Sequence, residues 1–402
     1  MSTPATEDAV DVIVAGSLAI DLSCDYAPPD GKSGPKDPQM FTSNPARITQ
    51  SLGGVGHNIA TAVQCLGVPV RLCGSVGRDV AGFSALNIMA QKGMQTLGIK
   101  TLQKQRTAQY VATNDAEKNL VLAMADMGIM ELEGRHFDTL WMPHLDACKP
   151  NWLVVDANWN LETIRLWMRA GKNRGAKIAF EPVSRAKAQR LFRGRSASDG
   201  TFNVVPDHAI DLTTPNALEL ASIHTAATTA GFFNREDWFE TYDSFGLSTP
   251  DFRDKLVQQT NTYLVDNEIP QQSLKLLPFI PCILTTMGEH GVLLTELLHK
   301  DDESLTSPSS APYILSRTTR EDSSIGGIYM RYFGPAEVVP KDHIVSVNGV
   351  GDTFLGVLIA GLSKPRPKSV EALIGVAQRA SVMSLKSMEA VNPAISALRY
   401  EI

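Results

Sequence analysis

Apolar and polar positions alternate between two regimes along the chain. Short runs rich in β-branched residues, Val12-Ile13-Val14-Ala15, Val70 to Val76, Trp152 to Asp156, Lys177 to Phe180 and Ile283 to Thr285, read as buried strands. Between them stand stretches of helical period. One runs from Asn58 to Leu66 with Gly67 placed as a C-cap, others from about Leu161, after Ser184 and from near Pro215, and the last two from Gly349 and Ser369. A further strand is expected near Ala336-Glu337-Val338-Val339. Strands alternating with helices predict an α/β fold with a mainly parallel sheet covered on both faces.

Four segments break that rhythm. Gln109 to Thr113 and Leu120 to Met124 alternate around Asn114-Asp115-Ala116-Glu117, which is the pattern of a hairpin. The proline-rich stretch Pro28 to Pro45 is expected to be a loop, and the polar segments 224–254 and 298–324 read as surface insertions, the second with the composition of a disordered one.

Composition narrows the partners. The chain of 402 residues is 43% hydrophobic and 20% charged, enough for a large core, and its formal net charge of -6 gives no electrostatic reason to expect nucleic acid or a membrane surface. Five cysteines (Cys24, Cys65, Cys73, Cys148, Cys282) lack CxxC spacing and are odd in number, so reduced thiols are expected. The acidic start Met1 to Val10 lacks the order of a signal peptide, and a cytoplasmic location follows as the default. Small ligands are the expected partners.

Four clusters carry candidate chemistry. Asn348-Gly349-Val350-Gly351-Asp352 precedes an apolar helix, so its backbone N–H groups and the helix dipole suit an anion. Asp352 in that first turn would repel a resting phosphate but could accept a proton from an attacking hydroxyl; alone it is equally a charge favourable to the dipole. Gly53-Gly54-Val55-Gly56-His57-Asn58 opens the first helix and permits close backbone approach, with Asn58 able to donate and accept; a plain turn reads the same way. Here His57 is expected in a turn or lid. Thr286-Met287-Gly288-Glu289-His290-Gly291 follows a strand and suits either a nucleotide or a β-turn. Asn216 and Glu219 in Thr214-Pro215-Asn216-Ala217-Leu218-Glu219 form either a capping box or a water-mediated Mg²⁺ site.

In this order the clusters resemble the ribokinase/PfkB family of sugar and nucleoside kinases over nearly the whole chain. The resemblance implies one ribokinase-like domain over residues 1–402, with a small β-sheet lid from about 21–52 and 107–127. It implies that Asp21, Gly53, Gly54 and Asn58 hold acceptor hydroxyls, and that Asn216 and Glu219 organise Mg²⁺ and phosphate. Thr286, Gly288, Gly291 and Asn392 would lie beside ATP, and Gly349, Val350, Gly351 and Asp352 would form the anion hole and base. Within the family, Gly53 to Ala60, Ala125-Asp126-Met127, Asp156-Ala157-Asn158 and Phe180-Glu181-Pro182-Val183-Ser184 are similar to the pseudouridine kinases, which adds Asp126, Asn158 and Glu181 to the substrate contacts.

That resemblance implies ATP-dependent phosphorylation of the 5'-hydroxyl of pseudouridine, with ribose, adenosine or a hexose derivative as other acceptors and a non-catalytic nucleotide-binding protein as a further reading. A dehydrogenase is disfavoured because no GxGxxG follows the first strand. Related fungal polypeptides can also carry a pseudouridine-5'-phosphate glycosidase; this chain is expected to be the kinase part. Lid-mediated dimers occur among such relatives. Ser346-Val347-Asn348 stands where the family usually has Asp-Thr or Asp-Ser, which puts a K⁺ site in question.

Overall fold

The computed structural model describes residues 9–28, 35–131, 134–194, 202–247, 250–318, 320 and 323–402. Residues 1–8 of the acidic start, 29–34 of the proline-rich stretch, and 248–249, 319 and 321–322 of the two expected insertions lie outside the described residues.

Fourteen strands are described: β1 (Val12–Ala15), β2 (Ala19–Tyr26), β3 (Ala46–Gly53), β4 (Val70–Gly77), β5 (Ile99–Leu102), β6 (Ala108–Asn114), β7 (Leu120–Asp126), β8 (Trp152–Asp156), β9 (Lys177–Glu181), β10 (Leu212–Thr213), β11 (Cys282–Thr286), β12 (Val292–His299), β13 (Ile314–Arg317) and β14 (Ile325–Phe333). Ten of them form one sheet in the order β13-β14-β12-β11-β10-β9-β8-β1-β4-β5. Neighbours from β5 across to β11 are parallel, and β12, β14 and β13 continue antiparallel.

Both faces are covered, as the central strand β1 shows by being apolar and buried at every position. Val12 and Val14 pack on one side with the helices Val55–Cys65, Val350–Leu362 and Val370–Leu385. Ile13 and Ala15 pack on the other with Leu161–Lys172 and Ala217–Thr229. A continuous apolar run thus feeds two cores, one per pleat face.

Strand order reverses beside β1: the chain proceeds to β4 and β5 on one side, then returns through β8 to β11 on the other. Open sheets of this kind leave a crevice beyond the carboxyl ends of the strands at such a reversal. Four strands, in the order β3-β2-β6-β7, form a second small sheet above it.

Two expectations change. Residues 224–247 are not a surface excursion: Phe232, Trp238 and Phe245 are buried, Phe232 meets Phe279 edge-on at 5.6 Å, and Glu236–Asp243 is helical. Its aromatic spacing supplies core that the Thr and Ser content disguised. Part of 298–324 is likewise ordered as edge strand β13. The strand expected at Ala336 to Val339 is absent; the strand is Ile325–Phe333 instead. Pro335 and Pro340 bracket the later segment and cannot donate to a ladder, so it remains coil with Val338 exposed.

Candidate active site

The crevice is built from strand ends. Gly16 and Ser17 follow β1, Asp156 ends β8, Glu181 ends β9, Thr214 follows β10 and Thr286 ends β11. Asp156 joins three elements: its Oδ2 accepts from the N–H of Ser17 at 2.8 Å, the hydroxyl of Ser17 at 3.0 Å and the N–H of Gly56 at 3.1 Å. A Cβ on Gly16 would stand 2.6 Å from that same oxygen, so only glycine admits the carboxylate. Neither Ser17 nor Asp156 stood out as a site residue in the sequence. The available signal was a carboxylate ending the apolar run Trp152 to Val155, as Asp21 follows the first strand.

Asp352 sits in the first turn of the Val350–Leu362 helix, whose N-cap is Gly349 in the left-handed region at φ 76°. A Cβ at Gly349 would meet the carbonyl oxygen of Ala390 at 2.2 Å. The chain can enter this helix only without a side chain there. Asp352 is buried, and its Oδ2 accepts from Asn58 Nδ2 at 2.8 Å. Burial pushes its carboxyl up to about 7, the Asn58 hydrogen bond opposes that, and Asp156, Glu219 and Asp21 add to it. A carboxylate poised near neutrality and aimed into a crevice can take a proton from a hydroxyl.

Asp21 lies on β2 rather than in a loop, opposite Ser51 of β3. Burial raises its carboxyl to about 6. Gly53 makes the room: a Cβ there would fall 2.1 Å from Asp21 Oδ2. Gly54, at φ 96°, passes so close to Ser17 that a Cβ would lie 2.7 Å from its carbonyl oxygen. The small sheet and the Val55–Cys65 helix thereby deliver Asp21 and Asn58 toward one place.

His57 is in neither a turn nor the small sheet. It is 3% exposed, inside the Val55–Cys65 helix, and burial lowers it to about 4, against a hydrogen bond to Asn58 Oδ1 and with Lys92 adding to the effect.

Glu181 is buried, accepting from the hydroxyl of Thr214 and the N–H of Val183, each at 3.1 Å. Burial holds its carboxyl well above the usual range, and Glu219 and Asp352 push it further. Asn158 spends its side chain inside the protein, donating to Ser17 Oγ at 3.0 Å and accepting from Lys187. Asp126 ends β7 at the rim, where it accepts from Arg106 Nε at 2.7 Å; that hydrogen bond holds its carboxyl below the usual range. These three therefore differ in access: Glu181 is deep, Asn158 is committed, and Asp126 is paired at the edge.

Asn216 and Glu219 form a complete capping box. Asn216 Oδ1 accepts from the N–H of Glu219 at 2.9 Å, and Glu219 Oε2 accepts from the N–H of Asn216 at 2.9 Å. Glu219 is buried, which raises its carboxyl against the bonds from Asn216. Among the described residues no group of three or more His, Cys, Asp or Glu is spaced to cage a metal ion. Hard oxygen donors that burial makes costly to ionise do suit Mg²⁺ held by few protein ligands and water.

A groove of about 440 Å³ opens beside these residues, lined by Thr286, Gly288 and Gly291 on one wall and by Val350, Gly351 and Phe354 on another. Gly291, at φ 80°, runs against β14, where a Cβ would meet the carbonyl oxygen of Phe333 at 2.0 Å. Its remaining lining includes Ala336 and Val339 from the coil expected to be a strand. Asn392 stands apart from that lining: its amide donates to the Met383 carbonyl at 3.0 Å and accepts from the Ala394 N–H at 3.0 Å. In the coil before Gly349, the N–H of Asn348 donates to Ser346 Oγ at 3.1 Å.

The model of the pfkB family carbohydrate kinases matches residues 11–230. Over 402 residues the sequence is 28% identical to a pseudouridine-metabolizing bifunctional protein of Schizosaccharomyces pombe, covering 98% of this chain and 48% of that protein. It is 33% identical over 193 residues to the pseudouridine kinase of Escherichia coli, covering 48% of this chain and 59% of that one. The chain thus spans about half the length of the curated relatives it matches. Arabidopsis thaliana ribokinase complexed with ribose and ATP shares the fold, with a TM-score of 0.61 at 13% identity over 98% of this chain and 99% of that one.

Proposed function

The chain belongs to the pfkB family of carbohydrate kinases, and from that premise we propose that it is an ATP-dependent kinase phosphorylating the 5'-hydroxyl of pseudouridine, with Asp352 as the base. The observation that carries the chemistry is the buried Asp352 carboxylate, held by Asn58 at 2.8 Å at the N-terminus of a helix that adjoins the groove. Its likeness to the pseudouridine proteins of S. pombe and E. coli supports the acceptor.

The acceptor ribose is held by Asp21, by backbone at Gly53 and Gly54, and by Asn58, with Asp126, Asn158 and Glu181 serving the rest of the nucleoside directly or through the groups they bind. The 5'-hydroxyl gives its proton to Asp352 as its oxygen bonds to the γ-phosphorus. The bond from that phosphorus to the β,γ-bridging oxygen breaks, and ADP leaves. Backbone N–H groups of Gly349, Val350, Gly351 and Asp352 face the charge on the transferring group. Thr286, Gly288 and Gly291 border the donor, and Asn392 fixes the chain end behind it.

Asn216 and Glu219 would hold Mg²⁺ through water, and the ion would neutralise phosphate charge when bound. The small sheet acts as a lid that excludes water. Exposed Ile48, Leu122 and Met124 on its outer face support a homodimer formed through it in a cytoplasmic protein.

A panel of pseudouridine, uridine, adenosine and ribose, incubated with ATP and read by mass of the product, tests the reading. Pseudouridine 5'-phosphate is expected to dominate. Preference for another acceptor would overturn the substrate and keep the kinase; ADP release without any phosphorylated acceptor would overturn both.

A further inference from the structure

Asp352 receives a side-chain hydrogen bond from Asn58, and an amide has two unlike ends. Presented the other way, Asn58 would set its oxygen against the carboxylate. What selects the end is the group on its far side. His57 Nδ1 lies 3.3 Å from Asn58 Oδ1, while Asn58 Nδ2 lies 2.8 Å from Asp352 Oδ2. His57 Nε2 lies 3.3 Å from Thr61 Oγ1, whose hydroxyl donates to the His57 carbonyl at 2.8 Å. All three members sit on the first turns of one helix, so their order is fixed by the backbone.

The tautomer follows from counting donors. A neutral imidazole carries one N–H. With the hydrogen on Nδ1, it donates to Asn58 Oδ1, the amide turns Nδ2 to Asp352, and both amide contacts pair a donor with an acceptor, while the single Thr61 hydroxyl hydrogen is shared between Nε2 and the His57 carbonyl. With the hydrogen on Nε2, a bare Nδ1 would face Asn58 Oδ1, and the amide would be drawn round to put its oxygen toward Asp352. That second arrangement suits only a protonated Asp352.

We propose that His57, as its Nδ1–H tautomer, is a positioning residue that locks the Asn58 amide with its nitrogen toward Asp352 and so holds that carboxylate in the ionised, proton-accepting form. This rests on the kinase reading of Asp352. Burial keeps the imidazole neutral, so it acts by direction rather than charge. The charged groups around it are Lys92 beside His57 and Asp156, Glu219 and Asp21 around Asp352, with Glu181 also coupled to Asp352. His57 is not among the residues that line the groove, so ATP binding should not feel its loss.

The test compares His57→Ala, His57→Gln and Asp352→Asn in the full chain. His57→Ala should lower kcat several-fold, leave KM for ATP unchanged and move the acid limb of kcat/KM for the acceptor to higher pH; His57→Gln, which restores an N–H donor, should recover part of both. The independent readout is the ¹⁵N spectrum of histidine-labelled wild type, with His57 assigned by its disappearance in His57→Gln. An Nδ1–H signature above pH 8 that exchanges toward Nε2–H as Asp352 protonates is expected, and it is read on the wild-type protein itself. An Nε2–H tautomer at high pH, or an unmoved acid limb in a folded His57→Ala, overturns the proposal. Full activity in Asp352→Asn would instead overturn the kinase reading on which it rests.

Discussion

The acceptor side of the crevice and the donor groove are built on opposite principles. On the acceptor side five carboxylates, Asp21, Asp156, Glu181, Glu219 and Asp352, are brought under cover, each raised by burial above its ordinary range. Their separate geometry depends on glycines that yield space to side chains, as Gly53 does for Asp21 and Gly16 for Asp156. The donor groove is walled mainly by apolar side chains such as Val339, Phe354 and Val382, and of its glycines Gly291 gives space to backbone while Gly288 and Gly351 face open space. One side is organised to set protonation, the other to set shape. A hydroxyl needs a base of suitable pKa, whereas a nucleotide brings its own charge and needs a surface and N–H groups.

The largest break in that comparison should come from Asp352→Asn, which is expected to lower kcat by roughly a thousandfold or more, given the usual size of general-base effects. Steady-state turnover and ATP titration together check it, since ATP binding should survive. Gly53→Ala comes next. Its Cβ would fall 2.1 Å from Asp21 Oδ2, and displacing that carboxylate should raise KM for the acceptor roughly 10- to 100-fold while KM for ATP stays put.

Gly351→Ala sharpens the contrast from the other side. A Cβ there meets no protein atom within 4 Å, so the fold should be untouched and the cost, a few-fold in KM for ATP, should fall on the donor alone. Equal effects of the two alanines on both substrates would dissolve the division.

The most graded effects are those of pH. Because Asp352 must be ionised to act and titrates at about 7, kcat/KM for the acceptor should fall tenfold per unit below that value. The neighbouring carboxylates share this titration, so the apparent value belongs to the cluster. Stability runs the other way. A carboxyl raised on folding contributes fully below its unfolded value, near 4, and that contribution is lost as pH rises through about 7. Asp352→Asn should therefore be more stable than the parent at pH 8, by roughly 1–3 kcal/mol, and the gain should shrink as pH falls and vanish below about pH 4. Thermal unfolding at the two pH values decides it.

Much of this was legible in the sequence because local chemistry is sufficient for it. The apolar runs at β1, β8 and β9 have the length and β-branching of buried strands, and Gly349 announces a helix start that only glycine can adopt. The same periodicity failed where the signal was split. Residues 224–254 hide core aromatics among threonines and serines, and Ala336 to Val339 has strand composition between prolines that forbid pairing.

What the sequence determined by itself was the order of strands and helices and the kinds of residue set at their ends, since both follow from side-chain period and backbone freedom over a few neighbours. Only tertiary structure decided which ends meet. Asn58 and Asp352 are 294 positions apart, and Ser17 and Asp156 are 139 apart. Their hydrogen bonds exist because the sheet reverses its order beside β1 and gathers those strand ends at one crevice. The raised carboxyls have the same origin, for burial and like charge belong to an assembled site and to no single segment.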